Sequence, residues 1–179
     1  MIVVETELEA YVAEIVDTVE RAAPVEGAFV LGSALTGGFD PSSSDVDLVL
    51  VVGQPLDRPA ELVEALDALP VPFRKLELVV YATGAKPPAY ELNYPDGDGE
   101  PEFWFVLDAA IAQERAKPFV GRGWGELLGP VSPEETRRAA EELVRWGEGR
   151  GDDVGRLHAA RARHYLSHGE WITKEEARR

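Results

Sequence analysis

The chain has no cysteine. Disulfides, thiolate metal sites and thiol catalysis are excluded with it. Histidine is scarce: His158, His164 and His168 are the three, close together late in the chain and not at the spacing of a zinc site. Positive charge is also short, with 18 Lys and Arg against 33 Asp and Glu and a formal net charge of -15. Such a surface repels a phosphate backbone, so a nucleic-acid partner is not expected. It would attract cationic small molecules, although an acidic surface more commonly serves solubility alone. No apolar run approaches the roughly 18–20 residues that a membrane-spanning helix needs. The start, MIVVETELEA, turns acidic at once and lacks a basic n-region. Neither a secretory leader nor a membrane partner is therefore expected, and a cytoplasmic location fits.

What is present is an ordinary globular composition, 179 residues with 45% apolar side chains, enough for one domain or a domain plus an appendage. Residues 5–22 put Leu8, Tyr11, Val12, Ile15 and Val19 on one helical face. AFVLGS reads as a buried strand entering a glycine turn, and DVDLVLVV (45–52) as a central strand. PAELVEALDAL (59–69) is a helix with proline in its first turn. FRKLELVVYA (73–82) is a strand with Phe73, Lys75, Glu77 and Val79 on one face. Residues 83–101, rich in Pro, Gly and Asp, read as one long loop. Helices follow over 102–116, over 132–147 with Ser132 as N-cap and Glu135 closing a capping box, and over 156–169. ITKEEARR starts one more. The order predicts an α/β half, residues 1–101, and a small helical half, residues 102–179.

The chemistry concentrates in Leu31–Val52, LGSALTGGFDPSSSDVDLVLVV. Gly32-Ser33 follows a strand and opens a turn; backbone N–H groups there can cradle a phosphate, and glycine lets it come close. Asp45 and Asp47 stand at a strand start, at i and i+2, so both carboxylates face one site. Two carboxylates so placed call for a cation. Magnesium takes oxygen ligands and is commonly shared with substrate phosphates. Glu77 lies in an apolar strand, where a carboxylate is costly unless paired or functional. If strands 45–52 and 73–82 are neighbours, Glu77 reaches the same site as a third ligand or as a general base. Alone, Glu77 would equally suit an ion pair with Lys75 on the same face.

The Gly32-Ser33…Ser44-Asp45-Val46-Asp47 pattern resembles the polymerase-β-like nucleotidyltransferase superfamily, and more narrowly the aminoglycoside adenylyltransferases that modify streptomycin and spectinomycin. LELVVY, YELNYPDG, LDAAIAQERAKPFVG, WGELLGPVSPEE and HAARARHYLSHGEWITKEEA follow that family in order and spacing. The resemblance implies an α+β fold with a mixed sheet and flanking helices, then a helical domain. It implies Mg2+ held by Asp45, Asp47 and Glu77, with Glu77 as catalytic base. It implies ATP bound through Gly32, Ser33, Ser44, Arg161 and Lys174. The chain departs from the family in two places. It stops soon after Lys174, so part of the acceptor cleft is expected to be missing or supplied differently, a second subunit in a homodimer being one source. The family's drug-packing tryptophan falls near Gly97, and no tryptophan is there; Trp104 is nearest and does not align. The acidic residues Asp96, Asp98, Glu100 and Glu102 remain as a candidate face for a cationic acceptor.

The activity implied is transfer of AMP from ATP to a hydroxyl of a small molecule, an aminoglycoside or spectinomycin being the family's choice. The alternatives are adenylylation of a protein and a nucleotide-binding, antitoxin-like protein without turnover.

Overall fold

A computed structural model describes residues 2–83, 89–97 and 101–179. The element order is α1 (Ile2–Glu20), β1 (Val25–Val30), α2 (Gly32–Thr36), β2 (Val46–Val52), α3 (Pro59–Asp67), β3 (Leu76–Ala82), β4 (Ala89–Tyr94), α4 (Glu102–Arg115), β5 (Val120–Gly121), α5 (Trp124–Leu127), α6 (Pro133–Arg150) and α7 (Asp153–His168), ending in a 3-10 turn, Glu176–Arg178. The chain forms two compact units, one of residues 1–99 with 115–129 and one of 100–114 with 130–179.

The first unit is built on a five-stranded sheet of order β4-β3-β2-β1-β5. β2 and β3 pair in parallel; β1 with β2, β1 with β5 and β3 with β4 pair antiparallel. A parallel pair needs a crossover, and α3 supplies it. Strand alternation sorts the two faces. Val46, Leu48, Leu50 and Val52 of β2 and Leu76, Leu78, Val80 and Ala82 of β3 lie buried with Val12, Ile15 and Val19 of α1 and Leu62 and Leu66 of α3. The other face of the same strands carries Asp47, Val49 and Val51, and Glu77, Val79 and Tyr81. Burying one such aliphatic side chain is worth roughly 2 kcal/mol. A one-residue slip would give up several of these and bury Asp47 and Glu77 instead, so the hydrophobic pattern alone fixes which way the carboxylates point.

Three sequence expectations are corrected. Phe73 does not share a face with Glu77: β3 begins only at Leu76, and Phe73 turns into the helix-side core, edge-on to Tyr11 at 5.6 Å and to Phe39 at 5.5 Å. The segment read as one loop contains β4, an edge strand paired to β3 from Leu78↔Tyr94 to Ala82↔Ala89. The last segment forms only the short 3-10 turn, not a helix.

The second unit packs α4, α6 and α7 around Phe103, Leu107, Ala139, Ala140, Leu143 and Ala162. Ser132 caps α6 as expected: Glu135 N–H donates to Ser132 Oγ (3.2 Å) and Ser132 N–H donates to Glu135 Oε2 (2.8 Å). Gly151, with φ 70°, turns the chain, and Asp152 then caps α7 by accepting from Gly155 N–H at 2.7 Å. The two helices meet at Gly147 and Gly155, where a Cβ on Gly147 would stand 2.3 Å from the Gly155 carbonyl oxygen.

Candidate active site

β1 runs into the site through Leu31, whose N–H donates to the Asp47 carbonyl at 2.8 Å. Gly32 follows with φ 58°, a left-handed conformation that L side chains adopt at a cost. The space also demands glycine, because a Cβ there would lie 1.7 Å from Asp47 Oδ2. The backbone at Gly32 is therefore pressed directly against one of the two expected metal carboxylates. Thr36 closes the short α2 by donating its hydroxyl to the Gly32 carbonyl at 2.9 Å.

The chain returns to β2 through a turn organised by Asp40. Its carboxylate accepts from Ser42 N–H (2.9 Å), Ser42 Oγ (2.7 Å) and Ser43 Oγ (2.9 Å). These hydrogen bonds, Ser42's side chain first, hold the Asp40 carboxyl below its ordinary range. Asp40 N–H in turn donates to Ser44 Oγ at 3.0 Å. Such side chain to backbone bonds are why a Pro-Ser-Ser-Ser run forms a fixed turn. Ser44 is half-buried at the point where the turn hands over to Asp45.

Asp47 and Glu77 are direct partners in the parallel β2–β3 register. Neighbouring strands lie about 4.8 Å apart, so the two side chains rise from adjacent positions on one face. Asp45, two residues before Asp47, is 16% exposed, and its Oδ1 is buried with no hydrogen-bond partner among the described residues. Arg74 Nε lies 3.7 Å from that oxygen. Glu77 Oε1 receives the Lys75 ammonium at 3.0 Å, and Asp96 Oδ1 lies 3.9 Å from the same nitrogen. Burial alone would push the Lys75 ammonium down; the Glu77 hydrogen bond and the charges of Glu77, Asp96 and Asp45 outweigh it and leave it raised.

The structure thus brings Gly32, Asp47 and Glu77 together, with Asp45 two residues before Asp47 and Ser33 and Ser44 half-buried on the segments that lead in and out. Arg161 and Lys174 belong to the second unit. Arg161 Nε donates there to the Ile172 carbonyl at 2.8 Å, and Lys174 is exposed. Of the acidic residues considered for a cationic acceptor, Asp96 stands beside Lys75 and Glu102 is exposed at the start of α4. Asp98 and Glu100 lie outside the described residues. Arg74 was missed by sequence reasoning. The signal was legible, since Val46↔Leu76 pairing sets the residues before Leu76 beside the start of β2.

Among the described residues no group of three or more His, Asp or Glu side chains is arranged around one metal position. The donor set nonetheless suits a hard cation. Asp45 offers a buried oxygen without a hydrogen bond, and Asp47 presents a second carboxylate two residues on. Carboxylate oxygens are what magnesium takes.

Residues 12–92 match the family model of a nucleotidyltransferase domain, a span that holds Gly32, Ser33, Ser44, Asp45, Asp47 and Glu77. Among solved structures the fold is similar to that of spectinomycin adenyltransferase AAD(9) from Enterococcus faecialis with ATP and spectinomycin. The TM-score is 0.65 and the identity 21%, over 92% of this chain and 80% of that one. No curated protein matches the chain in sequence. The mixed α+β sheet with flanking helices is that of a nucleotidyltransferase fold.

Proposed function

We propose that this chain is a nucleotidyltransferase that moves AMP from ATP to a hydroxyl of a small, cationic acceptor. One observation carries the reading: Asp47 and Glu77 stand side by side in the β2–β3 register, with the glycine that opens α2 pressed against Asp47. The match of residues 12–92 to the nucleotidyltransferase domain supports the reaction class. The similar fold of a protein described with ATP and spectinomycin supports ATP as donor and an aminocyclitol-like acceptor. The net charge of -15 suits a cationic one. In this reading the sheet-bearing unit, residues 1–99 with 115–129, is the catalytic domain and the unit of residues 100–114 with 130–179 is the helical one.

Asp45 and Asp47 would hold magnesium, with Glu77 as the third carboxylate. When bound, the ion neutralises carboxylate and phosphate charge and polarises the phosphoryl group. The remaining work belongs to the chain. Gly32, without a side chain, lets the backbone that opens α2 lie directly against the Asp47 carboxylate. The hydroxyls of Ser33 and Ser44 would donate to phosphate oxygens. Arg161 and Lys174 are assigned to ATP by resemblance. Glu77 would take the proton of the acceptor hydroxyl. The hydroxyl oxygen forms a bond to the α-phosphorus as the bond between that phosphorus and the bridging oxygen breaks. Pyrophosphate leaves with the electron pair. Positioning and charge neutralisation supply most of the rate.

Calorimetric titration of ATP, with and without magnesium and then with spectinomycin or streptomycin, tests this. Magnesium-dependent ATP binding followed by drug binding or heat of turnover is expected. ATP binding without response to either drug would move the acceptor to another class. No ATP binding would overturn the reading.

A further inference from the structure

Lys75 brings carboxylates from separate segments into relation: Glu77 of β3 and Asp96 of the turn after β4 lie close to its ammonium, and Asp45, just before β2, acts on it through its charge. Gathered negative charge needs a counter-charge. Within the chain that charge is Lys75. Its ammonium lies 3.0 Å from Glu77 Oε1 and 3.9 Å from Asp96 Oδ1, and it feels the charge of Asp45 as well. Its backbone is pinned to the start of β2, where Val46 N–H donates to the Lys75 carbonyl at 2.9 Å. The side chain is 34% exposed, so it is neither locked in the interior nor free in solvent. An isolated surface ion pair would contribute little. An ammonium bonded to Glu77, close to Asp96 and under the charge of Asp45 is a different arrangement, because a cation bound by Glu77 must meet it.

We propose that Lys75 is the built-in counter-ion of this acidic site, which keeps free divalent cations from Asp45 and Glu77 and yields when a nucleotide brings its own cation. The inference rests on the nucleotidyltransferase reading. A divalent ion arriving alone must displace the ammonium or share the carboxylates with it, and the two repel. An ion arriving on a triphosphate brings phosphate oxygens to which the displaced ammonium can turn. Lysine suits this exchange, since its charge sits at the end of a flexible stem with rotatable donors. The same residue therefore weakens binding of the bare ion and strengthens binding of the ion–nucleotide complex. Loading of the site becomes ordered, with little metal held before nucleotide arrives.

The test is direct binding of Mn2+ without nucleotide, read from the electron paramagnetic resonance signal of the free ion, on the full chain. Lys75→Met keeps the aliphatic stem and removes the charge. It should bind Mn2+ roughly tenfold more tightly than the unchanged protein, the scale of one charge a few ångströms away in a partly solvated site. Lys75→Arg should bind as weakly as the unchanged protein. Asp47→Asn added to Lys75→Met should abolish the gain, which locates the ion. Equal Mn2+ affinity in Lys75→Met and the unchanged protein, with Mn–ATP still bound by both, would overturn the counter-ion role and leave the nucleotidyltransferase reading standing. Absence of Mn2+ binding to every variant, with and without ATP, would overturn both. Circular dichroism of each variant guards against loss of fold.

Discussion

Gly32 and Asp47 are in such close approach that a methyl group on the glycine would stand 1.7 Å from the Asp47 Oδ2 oxygen. Gly32→Ala therefore meets two costs. A left-handed L residue costs roughly 1–2 kcal/mol, and the new methyl group must push Asp47 off its position. Gly37, with φ 89° and nothing within 4 Å of its would-be Cβ, shares only the first cost. Both alanine variants should melt a few degrees lower. Nucleotide transfer should be lost in Gly32→Ala and kept in Gly37→Ala. Equal activity of the two would show that the approach of Gly32 to Asp47 plays no part in the site.

Asp47→Asn and Glu77→Gln keep shape and remove charge. Each should lower transfer by at least 100-fold, the usual loss when one group that stabilises developing charge is removed. Neither side chain belongs to the hydrophobic core, so melting temperature should hold within the small range typical of surface substitutions. Calorimetry and a pyrophosphate-release assay check the two halves of the expectation. A large drop in stability would recast these carboxylates as structural.

The sheet and the site face were legible in the sequence because both rest on period-two alternation over apolar strands, the most direct signal a chain carries. DVDLVLVV and LELVVY each announce one buried face and place their carboxylates on the other. The helix start at Ser132-Pro133 was legible for a similar reason, since its capping box is local. β4 was not legible. AYELNY mixes Ala, Glu and Asn with two tyrosines and sits beside prolines, and it is a strand because β3 offers it an edge to pair with. Phe73 misled because it continues the alternation of β3 in sequence while the chain before Leu76 is no longer extended in the sheet. Lys75 was seen only as one partner for Glu77; its place near Asp45 and Asp96 depends on the pairing of β2, β3 and β4, which no local pattern encodes.

α6 and α7 pack through glycine. A side chain on Gly147 would collide with the Gly155 carbonyl oxygen at 2.3 Å and with the Ala159 methyl at 3.0 Å, and neither neighbour is a flexible tip. Gly147→Val should push the helices apart and destabilise the second unit by about 2–3 kcal/mol, in the range of overpacked cores. Gly149, with open space on the same helix, is the control. Gly149→Ala should be neutral or stabilising, since alanine is the better helix former by about 1 kcal/mol. Urea titration followed by tryptophan fluorescence compares them directly, because Trp104 and Trp146 lie in this unit.

Tyr11 combines a buried ring with a hydroxyl that has no partner among the described residues. Removing an unpaired buried hydroxyl while keeping the ring is a gain or a neutral change, so Tyr11→Phe should be as stable as the unchanged protein or more so, by about 1 kcal/mol. The same burial, aided by Tyr94 and Glu14, pushes the phenol up to about 12. In the unfolded chain it ionises near 10. A folded value above the unfolded one means the full contribution is present below pH 10 and is lost as pH rises toward 12. The unfolded chain gives up its proton first, and that ionisation draws the equilibrium away from the fold. Denaturant titrations of both proteins from pH 8 to 12 should therefore show Tyr11→Phe gaining on the unchanged protein above pH 10, with a constant difference below it. Parallel curves throughout would mean that the Tyr11 hydroxyl reaches solvent in the folded protein.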